Sequence, residues 1–331
     1  MKVMTPKVSP SIYIRYNLPE VYLKQFKEIC PNIVVEPWNF DEPEPEVTVD
    51  LSECEILLTL GMRDNLNILK KAKNVKWVHS ISAGLDAMLT KEVKNSDIII
   101  TNAKGCTSVP IAEHTIALIS AFARDIPTMV KKQRAQEWCK MLPVRTLAGS
   151  TVGIIGYGEI GYEIAKRCKG LEMKVIGCRR NPDKKNKKHE PADVVVGMDQ
   201  VDEVLAKSDY VVVALPSTKD TIHFMNKERF SKMKKDSYLI NVGRGNTVAE
   251  KDLVDFLRNG KIAGAGLDVF EVEPLPKDHP FWYMDNVIVS PHNAYNSSNH
   301  SERVMKLILE NLTRFYKGIP LLNVVDKKLG Y

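Results

Sequence analysis

Paired cysteines, long apolar runs and nucleic-acid motifs are all missing from this chain. Its six cysteines, Cys30, Cys54, Cys106, Cys139, Cys168 and Cys178, are scattered with no C-x-x-C spacing. That argues against a metal site or a disulfide framework and fits reduced thiols in a cytosol. No apolar run approaches the roughly 20 residues needed to cross a bilayer, and Met1 to Pro10 lacks the continuous apolar segment of a leader. A soluble, cytoplasmic protein with no membrane partner is expected. The net charge of +6 comes without any motif that reads DNA or RNA, so nucleic acid is not an expected partner. There is no internal repeat and no low-complexity tract.

What is present is an ordinary globular composition: 331 residues, 44% apolar and 27% charged. That is enough chain for two domains, each with its own core. Strands and helices alternate almost from the start, the pattern of stacked α/β units. Segments 12–16, 33–36, 56–60, 76–79 and 98–101 read as short strands, with helical patterns at 19–29 and 66–73. Asp41 to Glu46 is an acidic loop punctuated by proline. A long helix starts near Val109 and runs to about Arg124; Pro127 is expected to break or bend it before an amphipathic piece towards Trp138. A second α/β series has strands at 151–155, 174–178, 194–196, 210–215, 238–241, 263–267 and 287–290. Apolar runs such as Val211-Val-Val-Ala-Leu215 suit a parallel sheet covered on both faces. The last helix, 298–317, is expected to return to the first unit.

The second series opens on Thr151-Val-Gly-Ile-Ile-Gly-Tyr-Gly-Glu-Ile-Gly161. A buried strand runs into Gly156-x-Gly158-x-x-Gly161 and then into a helix. Gly156 allows the tight turn, Gly158 lets the backbone approach a pyrophosphate, and Gly161 lets helix and strand pack closely. Amides at the helix start meet the phosphate charge. A dinucleotide is the expected ligand. The next strand ends in Cys178-Arg179-Arg180-Asn181, where an NAD site usually carries an acid for the ribose hydroxyl. A guanidinium there grips a 2′-phosphate, so NADP (as NADPH) is expected over NAD, which remains the weaker alternative. The run Lys184-Lys185-Asn186-Lys187-Lys188-His189 would add long-range attraction, or is simply a solvated loop.

Three polar residues follow strands of this half, where open α/β sheets hold ligands. Arg244 lies in Asn241-Val-Gly-Arg-Gly245, Glu273 in Gly266-Leu-Asp-Val-Phe-Glu-Val-Glu-Pro274, and His292 in Ser290-Pro-His-Asn-Ala294. Taken singly, each fits a surface charge, a loop carboxylate or a structural histidine. Together, beside a nicotinamide, they supply the parts needed to reduce a 2-keto acid.

Further motifs occur in order: His79-Ser-Ile-Ser-Ala-Gly-Leu-Asp86, Thr101-Asn-Ala-Lys-Gly105, Ala112-Glu-His114 and Leu215-Pro-Ser-Thr218. With the glycine turn, Asn241 to Gly245 and Pro291-His292, they make the chain resemble the D-isomer-specific 2-hydroxyacid dehydrogenases, particularly the glyoxylate/hydroxypyruvate reductase branch. The match is dense from about Trp77 to Ala294, while the first sixty residues agree only in pattern.

The resemblance implies an α/β chain of two Rossmann-like, doubly wound domains with a cleft between them. A discontinuous substrate domain (1–107 and 299–331) would accompany a dinucleotide-binding domain (108–298). It also implies a homodimer built partly through 110–145, no resident metal, and a small 2-keto or 2-hydroxy acid as substrate. On the family's pattern, Arg244 would bind the substrate carboxylate and keto oxygen, and His292 would donate the proton. Glu273 would orient the imidazole and favour its protonated form. Amides at Ala83 and Gly84, in the Ser82 turn, would hold the carboxylate. Gly156, Gly158, Glu159, Ile160, Gly161, Arg179, Arg180, Leu215, Pro216, Thr221 and Val242 would contact the cofactor, and Asp268 its carboxamide. His114 is expected to brace a helix start; His79 and Trp77 are expected to be packing or hinge residues.

Asn293, where the family usually has an aliphatic residue, and Tyr295 before Asn296-Ser-Ser-Asn299 depart from the pattern. A phosphoglycerate dehydrogenase is the nearest alternative, though it would prefer NAD and the arginine pair argues against it. No regulatory domain is expected after the final helix, which weighs less, since some relatives lack one. A formate dehydrogenase would pair its histidine with glutamine. A nucleotide-sensing corepressor is a further alternative, distinguished by partner binding rather than turnover.

Overall fold

The structure is a computed structural model and describes residues 9–38, 45–60, 66–85, 88–183 and 189–328. Most of the acidic turn at 41–46, the basic run at 184–188, Gly61 and Met62 of the turn after Leu60, Asp86 and the first eight residues lie outside it. The chain divides into two compact units, Met1–Cys106 with Ser298–Tyr331, and Thr107–Ser297.

The first unit is a five-stranded parallel sheet of β1 (Ile12–Ile14), β2 (Ile33–Val35), β3 (Ile56–Thr59), β4 (Trp77–Ser80) and β5 (Ile99–Asn102), in the order β2-β1-β3-β4-β5. The chain winds outward on both sides of a reversal between β1 and β3. The last helix, His300–Tyr316, belongs to this unit. It buries Val304, Met305, Ile308 and Leu312 at helical spacing against Ile12, Ile14, Phe26 and Trp77, each full burial of an aliphatic side chain contributing about 1.5–3 kcal/mol. Phe315 stacks on Trp77 at 5.6 Å. The buried Asn311 is satisfied by both backbone groups of Leu322, at 3.1 and 2.7 Å, and so fastens the tail.

His79 and Trp77 are core residues of β4. Both donate or accept at the Thr101 hydroxyl, each at 2.7 Å, and neither is exposed. Burial pushes the His79 imidazole down to about 3. The sign follows directly: the unfolded chain takes up a proton near pH 6.5 that the folded chain refuses. Stability contributed by the neutral ring is therefore lost as pH falls from about 6.5 towards 3. This residue should add a slope of about 1.4 kcal/mol per pH unit to the unfolding free energy. Urea titrations at pH 6.5 and 5 test it. His79→Gln, though less stable at neutral pH, is expected to show a pH difference smaller by about 2 kcal/mol.

The second unit is a seven-stranded parallel sheet of β6 (Thr151–Ile155), β7 (Lys174–Cys178), β8 (Val194–Val196), β9 (Tyr210–Val213), β10 (Tyr238–Asn241), β11 (Gly264–Leu267) and β12 (Val287–Val289). Its order, β12-β11-β10-β9-β6-β7-β8, is that of a Rossmann sheet, with the reversal between β6 and β9. All four residues of β9 are buried, as a β-branched strand covered on both faces must be. The helix Glu159–Gly170 buries Gly161, Ile164, Ala165 and Cys168, the i, i+3, i+4, i+7 stripe of one face.

Two local expectations are corrected. The long helix, Ser108–Ala123, ends before Pro127, because Asp125 takes a left-handed φ of 51°. Pro127 sits instead in the first turn of the helix Ile126–Arg134, where its missing N–H removes no helical bond. That helix stops short of Trp138: Gln136 turns the chain with φ 56°, and Trp138 and Met141 are each 89% exposed.

Candidate active site

Three strand ends of the second unit converge on one imidazole. After β12, Pro291 leads to His292, whose φ of 50° turns the ring out of the extended path. Its amide is fixed by the carbonyls of Asp268 at 2.8 Å and Ser290 at 3.0 Å. Nδ1 lies 2.7 Å from Oε2 of Glu273, and the other oxygen of Glu273 accepts the Phe270 amide at 2.9 Å. Burial raises the Glu273 carboxyl, but the bonds from His292 and Phe270 and the charges of His292 and Arg244 outweigh it, so its pKa is lowered. The carboxylate is therefore ionised at neutral pH.

Arg244, after β10, supplies a positive charge that helps to lower the Glu273 carboxyl. Its backbone is braced: the Arg244 carbonyl accepts from Asn241 Nδ2 at 3.1 Å and Thr247 Oγ1 at 2.6 Å. Gly245 follows because a Cβ there would meet the Phe270 carbonyl carbon at 1.9 Å. The structure thus brings Arg244, Glu273 and His292 into one charged group. Ala83 and Gly84 belong to the other unit. There Asn102 Nδ2 holds the Ala83 carbonyl at 2.6 Å, and the Ala83 and Gly84 amides donate to no group among the described residues.

Asp268, 2% exposed, has a second set of partners that the sequence did not indicate. Oδ1 accepts from Ser290 Oγ at 2.6 Å and the Asn293 amide at 3.0 Å, and Oδ2 accepts the Ala294 amide at 3.0 Å. His114 Nε2 sits 2.9 Å from Ser290 Oγ. His114 is therefore inside its helix and tied to the β12 loop, not bracing the helix start. These bonds clamp the loop that carries His292.

The glycine turn fits a dinucleotide. Gly156 has φ 94°, and a Cβ there would strike the Ala214 carbonyl at 2.6 Å, so this backbone crossing at the β6/β9 reversal requires glycine. Beside Gly158 nothing lies within 4 Å of an added Cβ, which leaves the cradle open where a pyrophosphate would rest. Glu159, Ile160 and Gly161 form the first helical turn, whose amides have no intrahelical acceptor. Leu215 and Pro216 follow β9 across this turn, and Val242 donates to Val213 at 3.0 Å. The Thr221 hydroxyl closes the 216–221 loop on Pro216 O at 2.7 Å.

The two arginines after β7 differ. Arg179 is held back, donating to Pro182 O at 3.0 Å with its guanidinium 5.7 Å from the Tyr157 ring. Arg180 is exposed and pairs loosely with Asp220 at 3.6 Å.

Comparison with known proteins identifies the family. Residues 116–294 match the family described as D-isomer specific 2-hydroxyacid dehydrogenase, NAD binding domain. A glyoxylate reductase of Thermofilum pendens is 34% identical over 93% of this chain and 92% of its own length. A D-3-phosphoglycerate dehydrogenase of Archaeoglobus fulgidus is 35% identical over 78% of this chain but only 49% of its own. The crystal structure of a D-isomer specific 2-hydroxyacid dehydrogenase from Xanthobacter autotrophicus Py2, in complex with NADPH and MES, is similar at a TM-score of 0.83. It is 31% identical, and the match covers 98% of this chain and 100% of that one. The chain belongs to the D-isomer specific 2-hydroxyacid dehydrogenase family and is an NAD(P)-dependent oxidoreductase.

Proposed function

We propose that this enzyme is an NADPH-preferring reductase of small 2-keto acids of the glyoxylate and hydroxypyruvate type, yielding D-2-hydroxy acids. The observation that carries it is the 2.7 Å contact of His292 with Glu273, beside the Arg244 charge. The nicotinamide, when bound, supplies the hydride to the keto carbon. Arg244 binds the carboxylate and polarises the keto oxygen through charge-assisted bonds. With Nδ1 engaged by Glu273, Nε2 of His292 is the nitrogen left to give its proton to that oxygen. Asp268 steadies the loop and retains acceptor capacity for a carboxamide. Ala83 and Gly84 offer their amides to the substrate carboxylate. On this reading residues 1–107 with 299–331 form the substrate domain and 108–298 the dinucleotide-binding domain.

NADPH preference is supported by the absence of a carboxylate at 178–181 and by the exposed guanidinium of Arg180. Arg180→Ser is expected to lower kcat/KM for NADPH by about 10- to 100-fold, the worth of one charge-assisted bond. NADH should stay within about twofold, since it has no phosphate to lose. Measuring both ratios decides it; an equal loss for the two cofactors contradicts the assignment. Exposed Trp138 and Met141, with Ile126, Met129, Val130 and Val144, support a homodimer formed through 110–145. Turnover of glyoxylate, hydroxypyruvate and its phosphorylated analogue with both reduced cofactors tests the function. Preference for the phosphorylated acid with NADH would instead favour a phosphoglycerate dehydrogenase, and no turnover would favour a binding protein.

A further inference from the structure

Arg244 and Glu273 reach the site on separate segments, so one must be fixed against the other. Arg244 leads through the turn Gly245–Thr247 into the helix Glu250–Arg258. Glu273 ends the loop that leaves β11 through Asp268, Phe270 and Glu271. The segments pack closely at Gly245 and Phe270, but packing has no preferred direction. A reciprocal pair of hydrogen bonds supplies one. The Glu271 amide donates to Oε1 of Glu250 at 2.7 Å, and the Glu250 amide donates to Oε1 of Glu271 at 3.0 Å. Glu250 is the first residue of its helix, whose N-cap, Ala249, makes no side-chain capping bond. Glu271 therefore caps this helix from another segment, where a negative charge is favoured.

The pair is costly in charge. Two carboxylates share one small region, and the Glu250 side chain is only 13% exposed. Burial, with the charges of Glu271 and Glu273, raises the Glu250 carboxyl. Two imidazoles flank the pair. His279 takes the Phe281 amide on Nδ1 at 3.3 Å, so its Nε2 carries the hydrogen and faces Oε2 of Glu250 at 3.4 Å. His223 Nε2 lies 3.2 Å from Oε1 of Glu271, and the His223 amide is tied to the Asn246 carbonyl at 2.7 Å. Capping alone would need a single neutral acceptor. Here four polar side chains form one row, and the Glu273 charge is felt at Glu250. Costly groups of this kind gather where chemistry demands placement.

We propose that Glu250 is a positioning residue for the reaction: its carboxylate holds the Glu271 amide, and with it the loop that aims Glu273 at Nδ1 of His292. The segment leaving Arg244 is the anchor, and the Glu273 loop is what the anchor holds. Glu250 acts through Glu273 and not on the substrate. This inference rests on the roles proposed above for Glu273 and His292, and adds to them the residue that keeps the two in register.

The test follows hydroxypyruvate reduction by the full chain with NADPH. The proteins compared are wild type, Glu250→Ala, Glu250→Gln, Glu273→Ala and the double variant Glu250→Ala with Glu273→Ala. Glu250→Ala is expected to lower kcat by about 10- to 100-fold, the worth of a misplacement of about 1 Å, with KM for NADPH within about twofold. Glu250→Gln keeps an acceptor oxygen for the Glu271 amide and should bring kcat back to within about threefold of wild type. In the Glu273→Ala background, removing Glu250 should cost less than about twofold, because the group it aims is gone. Equal factors in the two backgrounds indicate general damage and overturn the inference. So do a loss of NADPH affinity in place of kcat, a glutamine variant as slow as alanine, or an alanine variant as fast as wild type. All four leave the reductase reading intact. Glu273→Ala with wild-type kcat overturns the role of Glu273 and the inference with it. Failure of the wild type to reduce any 2-keto acid overturns the reductase reading as well.

Discussion

Replacing His292 with asparagine is expected to lower kcat by about 10²–10⁴-fold, the usual worth of a positioned general acid, with NADPH affinity unchanged. Asparagine is the informative choice. His292 has φ 50°, a left-handed conformation that asparagine tolerates better than most residues. The loop bonds to Asp268 pass through backbone groups of residues 292–294, so they survive the change. On the proposed assignment, what is lost is the proton. NADPH affinity, followed by fluorescence titration, reports whether cofactor binding is intact. A variant that turns over within a few-fold of wild type removes His292 from the chemistry.

Arg244→Ala carries the second large effect. Two charge-assisted bonds are at stake, each worth about 1.5–3 kcal/mol, so kcat/KM is expected to fall by about 10²–10⁴-fold, shared between KM and kcat. Arg244→Lys restores the charge but not the planar fork and should recover only part of the loss. A second signature separates this from general damage. The Arg244 charge helps to hold the Glu273 carboxyl below its ordinary value, against the upward push of burial. Stability and activity that depend on the ionised carboxylate are present above the ordinary carboxylate range and are lost as pH falls through the lowered value. Without Arg244 that value rises, so the acid limb of the Arg244→Ala pH profile should begin at higher pH than in wild type. An unshifted limb contradicts the coupling.

The readable parts of this chain were those with local signatures. The strand before Gly156 and the helix after it are set by adjacent residues: an apolar run, a residue-free cradle at Gly158, and a buried stripe from Gly161 to Cys168. Arg244, Glu273 and His292 stood out because each follows an apolar strand, and parallel strands bring their carboxyl ends to one edge. The Asp268–Ser290–His114 chain left no such trace. His114 and Ser290 are 176 positions apart, and a polar contact across that span has no periodicity. Nor does the end of the helix at Arg134, set by the left-handed turn at Gln136 rather than by proline or glycine. The Thr221 hydroxyl, spent on its own loop, shows the opposite case, a residue placed by resemblance whose polar group is already engaged.

The most direct measurement is the configuration of the product formed from hydroxypyruvate and NADPH, together with its rate in wild type and in His292→Asn. The account predicts D-glycerate, formed rapidly by the wild type and at least about 100-fold more slowly by the variant. L-glycerate, or equal rates in the two proteins, would contradict it.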